Sequence, residues 1–326
     1  MRTSFYTLAL IGSLMANTVL AEPIVYIPLG KANEVIAVDS ATNKITATYN
    51  GVANPHGLVA TPDGEYLIAG SLSQTPEPQG KPDAPNSKLY FIHPAHGHVM
   101  STIPVTGWTH HEAITPDGRY VISTHGGQGY VSVVDIEQSK VAKVIKTGPT
   151  PNYTLITHDG KRAYVSNTGN NSISEIDLSN WKVTRTLKAG PSPEHMVFSK
   201  DEKTIYVGNP RAGTVSAVSI ASGKVTKTYP VGKSAHGLDI SDDGKTLFVS
   251  SRKEDKLVAL DPATSKERVI KLSPAPYHLN TIHGAGKVYV SSSKEPVIWV
   301  VDQKTLKLVH TIKLPGGEGH QMAVVQ

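Results

Sequence analysis

Residues 152–187 read NYTLITHDGKRAYVSNTGNNSISEIDLSNWKVTRTL, and turn residues divide this stretch into four short runs of alternating apolar and polar side chains. The four runs are residues 152–157, 162–166, 172–177 and 182–187. Alternation with a period of two predicts strands that bury one face. The pair Asp159-Gly160 predicts a tight hairpin between the first two runs, because both residues tolerate a positive φ. The stretch therefore predicts four consecutive antiparallel strands.

The same pattern recurs along the chain at a nearly constant interval. Asp-Gly pairs are found at 63–64, 117–118, 159–160 and 243–244. The residues that open the repeats are His56, His110, Asn152, Glu194, His236, His278 and His320. Their separations are 54, 42, 42, 42, 42 and 42 residues. An interval of about 40 to 45 residues is typical of a four-stranded propeller blade.

The two ends of the chain each carry part of a repeat. Residues 24–29, 35–39 and 45–49 predict three strands before the first complete blade, and the repeat that starts at His320 contains a single strand. We expect these four strands to form one blade, because a closed ring pairs the edges that an open sheet would expose. The sequence thus predicts an all-β, seven-bladed β-propeller that forms one domain over residues 22–326.

The amino-terminal segment has the features of an export signal. Arg2 is followed by an apolar run over residues 5–15, and small residues precede a cleavage position after Ala21. The apolar run is shorter than the roughly 20 residues that span a bilayer. We therefore interpret residues 1–21 as a signal peptide, and we expect a periplasmic or secreted protein without a membrane span after its removal.

Composition restricts the chemistry. The 326 residues include 14 His and no Cys, which excludes disulfide scaffolds, thiolate zinc fingers, iron–sulfur clusters, blue-copper sites and cysteine nucleophiles. With 39% hydrophobic residues, the chain is too apolar for a disordered protein. Any metal would accordingly be held by His, Asp or Glu side chains.

Histidines recur where the innermost strand of each predicted blade begins, at one mouth of the central channel. Five of the seven opening residues are His, and His111 and His195 follow one residue later. His125 falls in a loop that is predicted to open on the same face. Neutral imidazole is a good ligand for copper and zinc, whereas magnesium and calcium prefer oxygen. The pattern predicts a transition-metal site, with copper the first choice and zinc the second.

We assign a role to each of these residues. The predicted metal ligands are His56, His110, His111, His236, His278 and His320. His125 and His195 are secondary candidates, and Glu194 is an outer-shell orienting group or a general base. Because ligating imidazole must be neutral, metal affinity is expected to fall as the pH drops through about 6.5. Two other interpretations stay open, namely histidines that buttress the blades through hydrogen bonds and a metal-free site that handles a substrate or protons.

Short motifs link the chain to known propellers. The segments Tyr164-Val-Ser-Asn167, Val133-Val-Asp135 and Val258-Ala-Leu-Asp261, with the Asp-Gly turns, resemble the YVTN-type β-propeller repeat. This resemblance covers nearly all of residues 22–326 and implies the fold, but proteins of this type serve many functions.

The histidine pattern carries a second resemblance. The His110-His111 pair, followed by single histidines in later blades, is similar to the copper-binding propellers of nitrous oxide reductase and thiocyanate dehydrogenase. That resemblance implies a multicopper cluster in the channel. This chain departs from it, because it has no cupredoxin-like second domain and no Cys for electron entry. A redox copper here would need an external electron partner, and a metal carrier would be similar to periplasmic zinc-chaperone propellers.

Three functions follow from this pattern. The first is an exported propeller that binds copper or zinc as a metal carrier or a metal-dependent site, with a periplasmic metal-delivery or electron-transfer partner. The second is a copper oxidoreductase that uses an external electron partner. The third is a metal-free scaffold that binds protein or nucleic acid. We do not expect nucleic-acid binding, because the lysines of this basic chain (pI about 9.1) are spread over the blade edges. We expect a monomer.

The first repeat contains 12 extra residues, which belong to the loop over residues 71–87. Four prolines in this loop suggest a semi-rigid flap on the histidine face, although a tolerated surface insertion explains them as well.

Overall fold

Short strands joined by tight turns make up nearly all of the described chain. The computed structural model describes residues 22–76, 79 and 84–326, so the predicted signal peptide (1–21) and part of the 71–87 loop lie outside the described residues. In chain order the strands are β1 (Ile24–Leu29), β2 (Glu34–Asp39), β3 (Lys44–Asn50), β4 (Pro55–Ala60), β5 (Leu67–Ser71), β6 (Ser87–His93), β7 (His98–Val105), β8 (Glu112–Ile114), β9 (Tyr120–His125), β10 (Tyr130–Asp135), β11 (Lys140–Lys146), β12 (Pro151–Ile156), β13 (Arg162–Asn167), β14 (Ser172–Asp177), β15 (Lys182–Lys188), β16 (Met196–Phe198), β17 (Thr204–Asn209), β18 (Thr214–Ser219), β19 (Lys224–Pro230), β20 (Ala235–Ile240), β21 (Leu247–Ser251), β22 (Lys256–Leu260), β23 (Glu267–Lys271), β24 (Pro276–Ile282), β25 (Lys287–Ser292), β26 (Val297–Asp302), β27 (Leu308–Lys313) and β28 (Ala323–Val325). A short 3-10 helix covers Arg252–Glu254.

These strands form seven four-stranded antiparallel sheets within the described residues, which confirms the seven-bladed β-propeller. From the innermost strand outward, the sheets are β4–β5–β6–β7, β8–β9–β10–β11, β12–β13–β14–β15, β16–β17–β18–β19, β20–β21–β22–β23, β24–β25–β26–β27 and β28–β1–β2–β3. We number these blades one to seven in this order.

Blade seven closes the ring. Its innermost strand β28 comes from the carboxyl end, and it pairs with β1 through Ile24 opposite Val325 and Tyr26 opposite Ala323. An isolated bridge between Leu29 and Gly319 extends this pairing towards the mouth. Closure by strands from both ends is therefore as the sequence predicts, and β28 is only three residues long.

The apolar core lies between the blades. The middle strands are buried on both faces, as in β2 and β10, whereas the outermost strand β3 alternates between exposed and partly buried side chains. Side chains from adjacent blades share each cluster: Ile27 of blade seven, for example, packs with Ile298 of blade six. Burying one such side chain is worth about 1.5–3 kcal/mol, so this repeated blade-to-blade contact stabilises the ring.

The Asp-Gly pairs form the predicted turns. Gly160 has a φ of 66°, and the Asp159 carboxylate accepts hydrogen bonds from Thr157 Oγ1 at 2.7 Å and from the Lys161 amide at 3.0 Å. These hydrogen bonds lower the pKa of the Asp159 carboxyl. The turns therefore stabilise the hairpins, and they lie on the face opposite the histidines.

A β-bulge at the start of each innermost strand decides which side chains enter the channel. In blade one, Pro55 pairs with Ser71 and Leu58 with Ala69, so two residues lie opposite one. Blade two has the same bulge, because the amide of His110 donates to the Thr124 carbonyl while the Thr124 amide donates to the His111 carbonyl. The bulge gives each blade two consecutive inward positions instead of the usual alternation.

The bulge in blade six corrects the even spacing expected from the sequence. Pro276 pairs with Ser292 and Leu279 with Val290, so the bulged residues are Tyr277 and His278. Tyr277 therefore matches His56 and His236, and His278 occupies the second position of its blade, as His111 does. The interval of 42 residues is wrong at this blade, because the repeats are matched by their register and not by the residue that they share.

No helix of the described chain has the length and apolar character needed to cross a membrane.

Candidate metal centre

Seven histidine rings meet at one mouth of the channel. The ring centroid of His56 lies 4.2 Å from His320, 4.3 Å from His110, 4.9 Å from His111 and 5.1 Å from His278. The ring of His195 lies 4.8 Å from His111, 4.8 Å from His278 and 4.6 Å from His236. The histidine cluster comprises His56, His110, His111, His195, His236, His278 and His320. It unites all six predicted ligands and adds His195, a secondary candidate on sequence grounds.

Within the cluster, three sets of side chains have ligand atoms that all lie within 4.8 Å of one another. The sets are His56–His110–His111, His56–His278–His320 and His111–His195–His278. Any two sets share one residue, so His56, His111 and His278 form the centre of the arrangement. Spacings of this size suit a common metal, since zinc–imidazole distances are about 2.0–2.1 Å.

The backbone fixes the tautomer of two central histidines. His56 Nδ1 lies 2.9 Å from the His110 carbonyl oxygen, and His111 Nδ1 lies 2.9 Å from the Asn152 carbonyl oxygen. A carbonyl oxygen only accepts, so each Nδ1–H donates and each neutral ring retains a lone pair on Nε2. Metal-ligating histidines are oriented in this way by their second nitrogen.

Several ring nitrogens of the cluster are buried without a hydrogen-bond partner among the described residues. They are the Nε2 atoms of His111, His195, His236 and His278, and Nδ1 of His320. An unsatisfied buried polar atom costs about 1–3 kcal/mol, and a native structure rarely carries several together without a functional reason. These nitrogens are therefore available to bind a ligand.

Burial keeps the imidazoles neutral. It lowers the pKa of His110 to about 4 and that of His320 to about 3. For His56, His111 and His278, burial is again the largest cause, and the neighbouring histidines lower each pKa further, well below the usual 6.5. These rings are neutral at pH 7, which is the form that a metal ion requires.

Glu194 lies beside the cluster, where its Oε2 is 3.0 Å from His236 Nδ1. Burial by itself would raise the pKa of the Glu194 carboxyl, but the hydrogen bond with His236 and the electrostatic influence of His236, His110 and Arg252 bring it below the usual value. The contact has the geometry of an orienting carboxylate, one of the two roles predicted for Glu194. Glu318 is also close, with Oε1 3.8 Å from His320 Nε2.

His125 does not join the cluster. It is the last residue of β9 and not part of a loop, which corrects our expectation. Its ring is buried and contacts Tyr130 at 5.0 Å, and burial lowers its pKa to about 4. The strand continues to His125 because this residue pairs with Tyr130 across the hairpin.

Sequence reasoning missed Glu112, which follows His111 and is buried. Its Oε1 accepts a hydrogen bond from Ser123 Oγ at 3.0 Å, and burial raises the pKa of this carboxyl to about 8. A Cβ atom at Gly57 or Gly70 would overlap the Glu112 carboxyl. The glycine after His56 was therefore the available signal, because it leaves room for a side chain from the next blade.

Tyrosines complete the wall of the site. Tyr153 lies 5.0 Å from both His111 and His195, and Tyr277 stacks on His236 at 4.3 Å with an interplanar angle of 12°. Both occupy bulge positions, Tyr153 beside Asn152 and Tyr277 beside His278.

The described ends of the 71–87 loop lie near the cluster. Gln74 Oε1 accepts a hydrogen bond from the Trp108 amide at 3.0 Å, and Asn86 Oδ1 accepts one from the Gly107 amide at 2.7 Å. Trp108 in turn contacts the His110 ring at 5.6 Å. The loop is thus attached on the histidine face, as expected from its place between β5 and β6.

Comparisons with protein families match two parts of the chain. Residues 101–239 match the model of the YNCE-like beta-propeller, and residues 211–324 match that of the outer membrane protein assembly factor BamB. Each match covers less than half of the chain. No curated protein matches the sequence.

Solved structures resemble the whole ring. Hydrazine synthase of Kuenenia stuttgartiensis is 21% identical with a TM-score of 0.70, and the alignment covers 81% of this chain and 87% of that one. A putative 6-phosphogluconolactonase from Bacteroides uniformis is 18% identical with a TM-score of 0.76, covering 94% and 100%. The dihydro-heme d1 dehydrogenase NirN is 15% identical with a TM-score of 0.67, covering 90% of this chain and 64% of NirN. At these identities the likeness shows the fold alone, a β-propeller, and not an activity.

Proposed function

We propose that this propeller is an exported protein that binds a transition metal, copper first and zinc second, through its histidine cluster. The observation that carries the proposal is the set of buried imidazole nitrogens that have no partner among residues 22–76, 79 and 84–326, together with the Nδ1–carbonyl hydrogen bonds that direct Nε2 of His56 and His111. Purely structural histidines would be expected to satisfy both ring nitrogens in such a buried place.

The donor set favours copper or zinc over harder ions. All three sets of close ligand atoms consist of imidazole nitrogens alone. Such sites suit copper and zinc, whereas magnesium and calcium take carboxylate and carbonyl oxygens. We propose that the protein acts as a metal carrier or presents a metal-dependent site.

A copper oxidoreductase is the second candidate function. It is favoured by the overlap of the three ligand sets, which offers positions for more than one ion. Since the chain has no Cys, such an enzyme would receive or deliver electrons through a separate periplasmic protein. A coloured, redox-active copper centre would distinguish it from a carrier that binds a single ion reversibly.

Metal analysis of the full chain, expressed with its leader and recovered from the periplasm, tests the proposal. We expect stoichiometric metal in the wild type and its loss in the double variant His111→Gln/His278→Gln, because these two residues are shared between the ligand sets. His310→Gln, which changes an exposed histidine on β27, is the matched control and should retain the metal.

Two results would refute metal binding. One is the absence of bound metal from wild-type protein after purification and after incubation with copper or zinc. The other is equal metal content in the wild type and the double variant. Absence of the chain from the periplasm would refute the export part alone.

A further inference from the structure

A second cavity lies on the face opposite the histidines, where the innermost strands β12, β16 and β20 end. Its volume is about 740 Å³. The turns that follow these three strands, together with the β24–β25 turn of blade six, form its rim. None of the described residues that line it belongs to the histidine cluster, so the cavity is separate from the proposed metal site.

The walls of this cavity are largely apolar. Three adjacent blades contribute partly buried residues to it, namely Leu155, Val197, Phe198 and Ile240. Leu155 and Phe198 pack against one blade-to-blade cluster of the core. Val197 and Ile240 pack against the next cluster. The core thus holds these side chains from behind, and their exposed parts offer a preformed apolar surface to a ligand.

Negative charge predominates in the lining. The Lys, Asp and Glu residues among the described lining residues are Lys200, Asp201, Glu202, Asp239 and Asp242. Two histidines of the lining lie against carboxylates: His158 Nδ1 is 2.6 Å from Glu202 Oε1, and His283 Nδ1 is 2.7 Å from Asp242 Oδ1. Because one lysine is present with four carboxyl groups, the cavity favours a cationic ligand over an anion.

Asp239 is the carboxylate that lacks a charged partner. Its Oδ1 accepts a hydrogen bond from the Ile240 amide and its Oδ2 accepts one from the Thr281 amide, both at 2.8 Å. In the part of the chain that the structure describes, no Lys, Arg or His nitrogen comes within 4.0 Å of this carboxylate. Burial is the largest influence on the pKa of the Asp239 carboxyl and raises it. A carboxylate removed from water is stabilised by a nearby cation, which a ligand can supply here.

We propose that this cavity binds a small organic cation, a primary alkylammonium whose nitrogen donates to Asp239 and whose hydrocarbon chain lies along the apolar walls. An ammonium has three N–H donors, and each Asp239 oxygen retains acceptor capacity beside its amide hydrogen bond. The site goes beyond the proposed function, because it requires no bound metal. Binding is non-covalent and transfers no electrons.

Hexylamine, which is an ammonium ion at pH 7, is a suitable probe, and isothermal titration calorimetry of the full chain measures its binding. We expect saturable binding at a single site. Hexanol keeps the hydrocarbon chain without the charge, and methylamine keeps the charge without the chain. Each should bind at least about tenfold more weakly than hexylamine, because each lacks one of the two features that the cavity recognises.

Asp239→Asn removes the charge and keeps the size of the side chain. We expect this variant to bind hexylamine about tenfold more weakly, the order expected when one charge is removed next to a bound cation at a partly exposed site. Its affinity for hexanol should not change. Thermal unfolding establishes that each variant is folded before the titration.

Asp201→Asn is the matched control. It removes one negative charge from the same cavity lining, but Asp201 is exposed and its Oδ2 lies 3.8 Å from Lys203 Nζ. We expect less than about a twofold change in hexylamine affinity, because exposed charges are strongly screened.

The double variant His111→Gln/His278→Gln separates this cavity from the histidine cluster. An amine nitrogen can also ligate a metal, so hexylamine is titrated into this variant as well. We expect the affinity of the wild type. Loss of hexylamine binding in the double variant would place the amine at the cluster and overturn the cavity site.

The remaining outcomes test the role of Asp239. Equal affinity of the wild type for hexylamine and hexanol, or equal hexylamine affinity in the wild type and Asp239→Asn, overturns the cation site. An equal loss in Asp239→Asn and Asp201→Asn also overturns it, because general attraction by the rim would then explain binding. If Asp239→Asn does not fold, the comparison of hexylamine with hexanol in the wild type decides. The metal content of the wild type is a separate measurement, so the proposed function stands or fails independently.

Discussion

At the scale of single residues, His111 shows how the site is made. Its Nδ1 donates to the Asn152 carbonyl of the next blade, and its Nε2 is buried without a partner in the part of the chain that the structure describes. The neighbouring blade thus orients the ring towards the cluster. The sequence identified this histidine, but the carbonyl that orients it is a backbone atom, which no residue pattern reveals.

Glu194 provides a direct test of such orientation. We expect Glu194→Ala to weaken metal binding about tenfold, because loss of the hydrogen bond frees the His236 ring. Competition with a chelator of known affinity measures the effect. Glu202→Ala is the matched control: Glu202 forms the same kind of contact with His158, at 2.6 Å, between exposed turns away from the cluster. Equal affinity in Glu194→Ala and the wild type would contradict the orienting role.

Metal binding should resist acid further than free histidine would allow. The pKa values of His110 and His320 are lowered to about 4 and about 3, chiefly by burial, so protons compete for these nitrogens only in that range. We expect metal to be retained at about pH 5.5 and lost near pH 4, which revises the fall near pH 6.5 expected from the sequence. Equilibrium dialysis across this range measures it, and release centred at pH 6.5 would contradict it.

The metal-free protein has a related pH dependence. Since the folded-state pKa of these histidines lies below the unfolded value, the unfolded chain binds more protons between about pH 6.5 and pH 4. Stability should therefore fall as the pH is lowered through that window. Thermal unfolding of metal-free protein measures the change, and a midpoint that stays constant from pH 7 to pH 4.5 would argue against burial of neutral rings.

At the scale of strands and turns, the bulges separate what the sequence predicted from what it did not. The prediction for β1 is correct to the residue, and that for β14 likewise, because alternation and turn residues delimit them. The innermost strands β8, β16 and β28 are only three residues long, since the bulge precedes them. A bulge adds a residue without changing residue types. The spacing therefore could not show that His278 occupies the second inward position of its blade, or that His195 belongs to the cluster as the predicted ligands do.

The glycine that follows His56 is required by this geometry. We expect Gly57→Ala to destabilise the protein by about 2 kcal/mol, because the added methyl group overlaps the Glu112 carboxyl. Gly316→Ala is the control, since its Cβ would meet only the Ala32 methyl at 3.8 Å. Chemical denaturation compares the two variants. Equal stability would show that Glu112 has room to move.

At the scale of the whole molecule, the closed ring depends on the last few residues. Deleting residues 320–326 removes β28 and leaves the inner edge of β1 unpaired in blade seven. We expect this truncation to abolish the cooperative thermal transition, because an exposed edge and the opened apolar contacts between blades destabilise the ring. Removal of Gln326 alone is the control and should have little effect. Full thermal stability of the longer truncation would contradict closure by β28.

The ring itself was predictable, because a repeat of nearly constant length identifies each blade without any knowledge of contacts between distant residues. The contacts that complete the site were not predictable, since Glu112 meets Gly57 and Tyr277 meets His236 across neighbouring blades. These contacts arise only when the ring brings the strands side by side.

The bulge at the head of each innermost strand has a consequence for how such a site changes over time. Seven blades with two inward positions each give fourteen slots around the axis, of which seven hold histidine. A substitution in one slot alters the donor set without shifting the hydrogen-bond ladder of its blade. Single substitutions at these inward positions can therefore change the number of metal-ligating side chains at the mouth, while the propeller scaffold stays the same.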